Sequence, residues 1–147
     1  MSPDPQLLEL LPHRPPMMVL AQVVSVAVPG EAVAIADTSS SSAFYDPDLG
    51  GIPACVALEY MAQTMALAVG AERRREGKPP KVGFVLGTRR LSVKVAAFEC
   101  GKRYEVKATC ACADDAVASF DCSIQDPEKE IVAMATLTAY QPIGVES

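Results

Sequence analysis

Few side chains in this 147-residue chain can do chemistry, and Glu59 leads them. It stands in a stretch from Pro53 to about Arg75 whose apolar residues face almost every direction of a helix. The sequence therefore predicts a carboxylate two turns inside an enclosed helix, where an acid must be neutral, paired or functional. Gln63 falls one turn further along the same face. A satisfied structural carboxylate fits this pattern, and so does a reactive acid, because perturbed acids cluster at sites. His13 is the only imidazole, set in the stiff His13-Arg14-Pro15-Pro16 stretch, so any histidine base must be this residue; an incidental histidine is the plain alternative. Tyr45 and Asp46 sit in a Gly-rich loop and offer a donor and an acceptor, with an Asx turn before Pro47 as the simpler role for Asp46. The free N–H groups of Ala54 and Cys55 at the helix start can polarise a carbonyl oxygen, as every helix start can.

Arg73, Arg74, Arg75, Lys78 and Lys81, with Arg89 and Arg90, form the one basic concentration in a chain of net charge −5. Solvated cations at a helix C-terminus explain them; an acidic carrier protein presenting a tethered substrate is the sharper reading. The acidic total repels phosphate backbones, so no nucleic-acid partner is expected. One His and five Cys without a CxxC pair give no zinc spacing, so no metal is expected, and GxSxG, GxGxxG and P-loop motifs are missing. Cys110 and Cys112 on one strand would lie about 6.6 Å apart on a single face, which suits two core thiols and not a disulfide. The N-terminus carries acids and prolines where a signal peptide needs a basic start and an apolar run, so a cytoplasmic protein is expected. Glu59, Gln63 and Thr64 interrupt the apolar run from Pro53 to Ala71, which argues for burial in protein and against a membrane span.

These residues need a scaffold, and the patterning supplies one. The length suits a single domain over residues 1–147 that can bury a core without staples. Asp4 to Leu11 reads as a short helix stopped by Pro12. Met17 to Val28 and Glu31 to Asp37 read as a hairpin around Pro29-Gly30. An irregular loop from Phe44 to Gly51 follows, then about 34 Å of helix from Pro53, ended by Gly77 and Pro79-Pro80. Four strands close the chain: Val82 to Val95, Arg103 to Cys112, Val117 to Ile124 and Ile131 to Tyr140, with turns such as Asp114-Asp115. Tyr104, Val106, Ala108 and Cys110 alternate with Arg103, Glu105, Lys107 and Thr109, as in a half-buried antiparallel strand. The expected class is α+β, an antiparallel sheet wrapped around one long central helix.

Leu11-Pro12-His13-Arg14-Pro15-Pro16-Met17 resembles the LPHRYPF stretch of FabZ-type 3-hydroxyacyl-[acyl-carrier-protein] dehydratases, and Ile52-Pro53-Ala54-Cys55-Val56-Ala57-Leu58-Glu59-Tyr60-Met61-Ala62-Gln63 resembles their FPGVLILEAMAQ helix. With Val82-Gly83-Phe84-Val85-Leu86-Gly87-Thr88-Arg89-Arg90, the chain is similar over nearly its whole length to the ApeP-like branch found with aryl-polyene biosynthesis. The resemblance implies the hot-dog fold, a dimer with sites at the subunit interface, and a 3-hydroxyacyl thioester on the phosphopantetheine arm of an acyl carrier protein, with no other cofactor. It implies elimination of water across C2 and C3, with Glu59 aligned to the helix acid that assists departure of the hydroxyl. The Ala54 N–H aligns with the donor that polarises the thioester carbonyl. The family's catalytic histidine precedes the helix acid by fourteen residues, and that position is Tyr45 here. His13 aligns with a different family histidine, so its role as base is a hypothesis of this chain alone.

Three readings follow. The chain is a dehydratase using Glu59 with His13 or with a partner's histidine; or a non-catalytic or half-catalytic subunit that completes a heteromeric dehydratase with a second dehydratase-like chain; or a thioesterase in which Glu59 activates water. The expected substrate contacts are Ala54, Cys55, Tyr45 and Gln63, and the expected carrier contacts are Arg73, Arg74, Arg75 and Lys78.

Overall fold

The computed structural model describes residues 4–27, 30–78, 84–114 and 116–140. The expected turn at Pro29, the helix stop at Pro79-Pro80, the cation Lys81, the strand start at Val82 and the turn residue Asp115 lie outside them. The chain begins with α1 (Pro5–Leu10), capped by Asp4, whose Oδ1 accepts the Gln6 N–H at 2.9 Å. The other oxygen of Asp4 accepts the Val23 N–H at 2.9 Å, so one carboxylate starts the helix and ties it to β1 (Leu20–Ala27). β2 (Glu31–Ala36) pairs back on β1, and after the loop come β3 (Gly51–Pro53), a 3-10 turn (Ala54–Val56) and α2 (Ala57–Arg75). β4 (Phe84–Val93), β5 (Ala97–Glu99), β6 (Glu105–Ala113), β7 (Val117–Gln125) and β8 (Ile131–Tyr140) complete the chain. Six strands form one antiparallel sheet in the order β1-β2-β6-β7-β8-β4, while β3 and β5 pair separately.

The expected class holds, with four differences of physical origin. Five strands follow the helix, because β5 is three residues long and too short to show a period. It pairs with β3 at a close backbone approach, where a Cβ on Gly51 would lie 2.1 Å from the Phe98 carbonyl oxygen. The helix does not run continuously from Pro53. The tighter 3-10 turn comes first, so Glu59 lies in the first turn of α2, where the helix N-terminus favours negative charge. Cys110 and Cys112 are not core thiols, because a register shift between them breaks the alternation, leaving Cys110 half-buried and Cys112 exposed. Of the cysteines described, Cys122 on β7 is the buried one, and burial pushes its thiol up to about 12.

The fourth difference bears on the site. α2 is enclosed on one side only. Tyr60, Met61, Thr64, Leu67 and Ala68 are buried, whereas Glu59, Ala62, Ala66 and Val69 on the remaining stripe are partly open. The helix packs mainly on β6, β2 and β1 and more lightly on β7 and β8, leaving space over that half of the sheet. Tyr60, Phe98 and Tyr104 stack edge to face with ring centroids 5.3 and 5.1 Å apart, and the Tyr60 hydroxyl donates to the Asp37 carbonyl at 2.8 Å. By length and composition Ala54–Arg75 could cross a membrane, yet 56% of its most apolar window is buried inside the fold.

α1 crosses α2 at Gly70, where an added Cβ would meet the Leu10 carbonyl oxygen at 2.0 Å. Gly70→Ala must therefore displace the end of α1, at an expected cost of about 1–3 kcal/mol. Urea unfolding measures this; a midpoint equal to the native chain's would contradict the close crossing.

Candidate active site

Gln63 organises the site from inside the core. It is 0% exposed, yet each polar atom of its amide is bonded. Its Oε1 accepts the Val19 N–H at 2.9 Å, and its Nε2 donates to the Met17 carbonyl at 2.8 Å and to Glu59 Oε1 at 2.9 Å. The i, i+4 spacing on α2 places Glu59 in reach, and the extended chain at Met17 and Val19 supplies the backbone partners. This differs from the expected substrate contact: with both amide hydrogens and the carbonyl oxygen engaged, Gln63 positions Glu59 and has little left to offer a ligand.

The same extended chain carries His13. Arg14 donates to the carbonyls of Leu8 at 3.2 Å, Leu11 at 2.8 Å and His13 at 2.7 Å, closing the end of α1 and fixing the turn on which His13 sits. In the sequence, the one signal of this positioning role of Arg14 is its place between His13 and Pro15-Pro16. His13 is half-buried, and its Nδ1 is shut off from water with no hydrogen-bond partner among the described residues. Burial pulls its pKa below the ordinary value, while the nearby Glu59 carboxylate pushes it up by a smaller amount. Burial wins, so neutral imidazole is favoured at neutral pH, the form a base requires. With the folded-state pKa lowered, protonation opposes folding: stability is retained above the unfolded value near 6.5 and falls as pH drops through the window below it.

The remaining expected residues lie elsewhere or are otherwise engaged. The Ala54 N–H donates to the Ala96 carbonyl at 3.1 Å, so it is not free to polarise a thioester, and neither Ala54 nor Cys55 lines the cavity that holds Glu59. The Tyr45 ring packs against the core and does not line the cavity that holds Glu59. Asp46 makes the Asx turn, its Oδ1 accepting the Asp48 N–H at 2.9 Å. Arg73 is 9% exposed and cannot present its charge to a docking protein as expected. Arg74, Arg75 and Lys78 are exposed but face acids: Arg74 pairs with Glu9, Arg75 with Glu72, and Lys78 with Glu76 at 3.9 Å.

His13 and Glu59 line one cavity of about 980 Å³, at the large end of ligand sites. It runs along the open stripe of α2, past Ala62, Ala66 and Val69, and is walled opposite by Ala118, Phe120 and Ala139 from β7 and β8. An acid, a neutral imidazole and a long apolar space thus share one wall. That set can take a proton from carbon and support the departure of an oxygen.

Residues 5–147 match the family described as ApeP-like, ApeP dehydratase. The dehydratase heterocomplex ApeI:P from Xenorhabdus doucetiae is similar in structure, with 27% sequence identity and a TM-score of 0.86 over 99% of this chain and 95% of that one. The 3-hydroxyacyl-[acyl-carrier-protein] dehydratase FabZ of Staphylococcus saprophyticus is 32% identical over 76 residues, 50% of this chain and 52% of that protein. FabZ of Oceanobacillus iheyensis is 29% identical over 92 residues, 60% of this chain and 64% of that protein. The chain spans about half to two thirds of the length of these curated relatives.

Gln63→Leu strands the buried Val19 N–H without its acceptor, at an expected cost of about 1–3 kcal/mol. Denaturant unfolding should show the loss, and a variant within experimental error of the native chain would contradict the three-way bond.

Proposed function

The chain belongs to the ApeP-like dehydratase family, a branch with the hot-dog architecture, and on that premise we propose that it removes water from 3-hydroxyacyl thioesters. One observation carries the reading: Glu59, held by Gln63, lines the same cavity as the only imidazole of the chain. In the proposed reaction His13 takes the proton from C2. The C3–O bond breaks, and the proton that His13 has taken passes through the Glu59 carboxylate to the departing hydroxyl. Water leaves, a C2–C3 double bond forms, and the thioester is untouched. Because Nδ1 is shut off inside the turn, Nε2 is the nitrogen assigned to the transfer. The acyl group is proposed to arrive on the phosphopantetheine arm of an acyl carrier protein, in the cytoplasm.

A second reading is favoured by the similarity to a heterocomplex. There the chain contributes Glu59 to a site completed by a histidine from a second dehydratase-like subunit, since its own loop carries Tyr45 where relatives of FabZ type carry the base. Both readings share the acid and differ in the source of the base.

Glu59→Gln keeps the side-chain volume and should lower hydration of a 2-enoyl thioester by about 10² or more, within the general acid–base range. The assay is run on the chain alone and after mixing with a histidine-bearing dehydratase-like subunit. His13→Gln separates the readings: it costs about the same factor if His13 is the base and nothing in the mixed sample if the partner supplies it. Native turnover by the Glu59 variant in both settings removes the acid from the chemistry, and release of free thiol assigns a hydrolase instead.

A further inference from the structure

The cations singled out in the sequence divide into two groups in the fold. Those at the end of α2 are engaged: Arg73 is buried, and Arg74, Arg75 and Lys78 face Glu9, Glu72 and Glu76. Arg89 and Arg90 on β4, and Lys94 just after it, are exposed, and no described carboxylate pairs with them. β4 is an edge strand of the six-stranded sheet. Thr136, opposite Arg89, and Met134, opposite Ser92, point away from the core, since Ala133, Ala135 and Leu137 beside them are buried. Arg89 and Ser92 therefore share the outer face, and Lys94 lies there too, because its neighbours Val93 and Val95 pack on the core. A register shift sets Arg90 and Leu91 outside the regular pairing, with Arg90 at φ 57. Such a bulge re-aims side chains, and it presents Leu91, which like Met134 is 49% exposed.

Three unpaired cations flanking two large apolar side chains, in a chain of net charge −5, make a surface suited to an acidic protein. Its place in the fold points to which one. β4 ends at Val93, and the Ala96 carbonyl accepts the Ala54 N–H at 3.1 Å, so this corner touches the start of the turn that leads into α2. Lys94 precedes Ala96 by two residues, at most about 7 Å of chain, and Glu59 follows Ala54 by five, about 8–10 Å of helical rise. A phosphopantetheine arm extends about 17 Å with bonds near 1.5 Å, which is the scale of this path. We infer that the outer face of β4 is where the acyl carrier protein docks, with Arg89, Arg90 and Lys94 as charged contacts and Leu91 and Met134 as the apolar seat. The end of α2 is not that surface. Pairing of β4 with a second subunit leaves the face open, because edge pairing uses backbone groups while these side chains stand perpendicular to the sheet.

The inference rests on the dehydratase reading for the identity of the carrier but not for its binding measurement. The native chain, with its partner subunit if turnover needs one, is assayed on one 2-enoyl group carried by holo acyl carrier protein or by free pantetheine. Beside it stands the combined variant Arg89→Glu, Arg90→Asp and Lys94→Glu, aspartate being tolerated in the left-handed backbone at position 90. The expected KM for the carrier-borne substrate rises at least tenfold, while its kcat and both constants for the pantetheine thioester stay within twofold. Reversal of Arg74, Arg75 and Lys78 to Glu leaves all of these unchanged. A loss with the α2 set instead, an equal loss on both substrates, or no loss with either set overturns the inference. Lys94→Glu alone serves if the combined variant does not fold, with a rise of at least threefold expected. Fluorescence anisotropy of labelled holo carrier protein repeats the comparison without chemistry. Affinity should fall at least tenfold in the β4 variant, and in the native protein it should weaken as salt rises from about 50 to about 300 mM. That pattern upholds the surface even if no thioester is turned over, in which case only the dehydratase reading falls. Failure of the native protein to bind the carrier at the lower salt, or binding indifferent to the β4 charges, overturns it.

Discussion

A single buried amide joins the two halves of the site. Gln63 accepts from one backbone N–H, donates to one carbonyl and donates to one carboxylate, and the first two partners belong to the chain between α1 and β1. Inside a core such groups are strongly held because the alternative is an unpaired polar atom without water. The register of α2 against Met17 and Val19 is therefore fixed, and Glu59, one turn away, is fixed with it. His13 lies four residues before Met17 on the same chain, so the bond that orients the acid also sets the distance to the imidazole. Arg14 completes the arrangement by closing the end of α1 on three carbonyls.

The second constraint is the one-sided packing of α2. A helix buried all round would leave Glu59 with no space beside it. Here the sheet is wider than the helix it carries, and the stripe running Glu59, Ala62, Ala66, Val69 faces an opening instead of a strand. The opening is what lets an imidazole be half-desolvated and still lie on a reachable wall. Burial lowers the affinity of His13 for a proton, and Glu59 offsets part of that effect, leaving a base that is neutral near pH 7 and beside an acid. Access to the cavity and a perturbed imidazole therefore share one cause.

Much of this was legible from residue type and period. The long apolar run, the hairpin and the alternation of Val106 and Ala108 on β6 specify a helix on an antiparallel sheet, because both follow from local patterns. Glu59 and His13 stand out by chemistry alone, one an acid in an apolar run and the other a unique imidazole. What could not be read depends on partners distant in sequence. The Ala54 N–H is consumed by Ala96, Gln63 by Met17 and Val19, and the charge of Arg73 is withdrawn into the fold. The register shift at Cys110 and Cys112 is likewise invisible, since one inserted residue leaves the alternating letters unchanged while turning the side chain outward. Residue type identified candidates; hydrogen-bond accounting decided what each could still do.

The most direct test of the shared wall uses the fact that the chain has one histidine, so its imidazole gives a single set of resonances. A pH titration of those ¹⁵N and ¹H signals, in the native chain and in Glu59→Gln, reads the proximity without any substrate. The midpoint should lie below 6.5 in the native protein and move lower still when the carboxylate is removed, because the negative charge is what raises it. An ordinary midpoint that ignores the substitution would mean that acid and imidazole do not face one another.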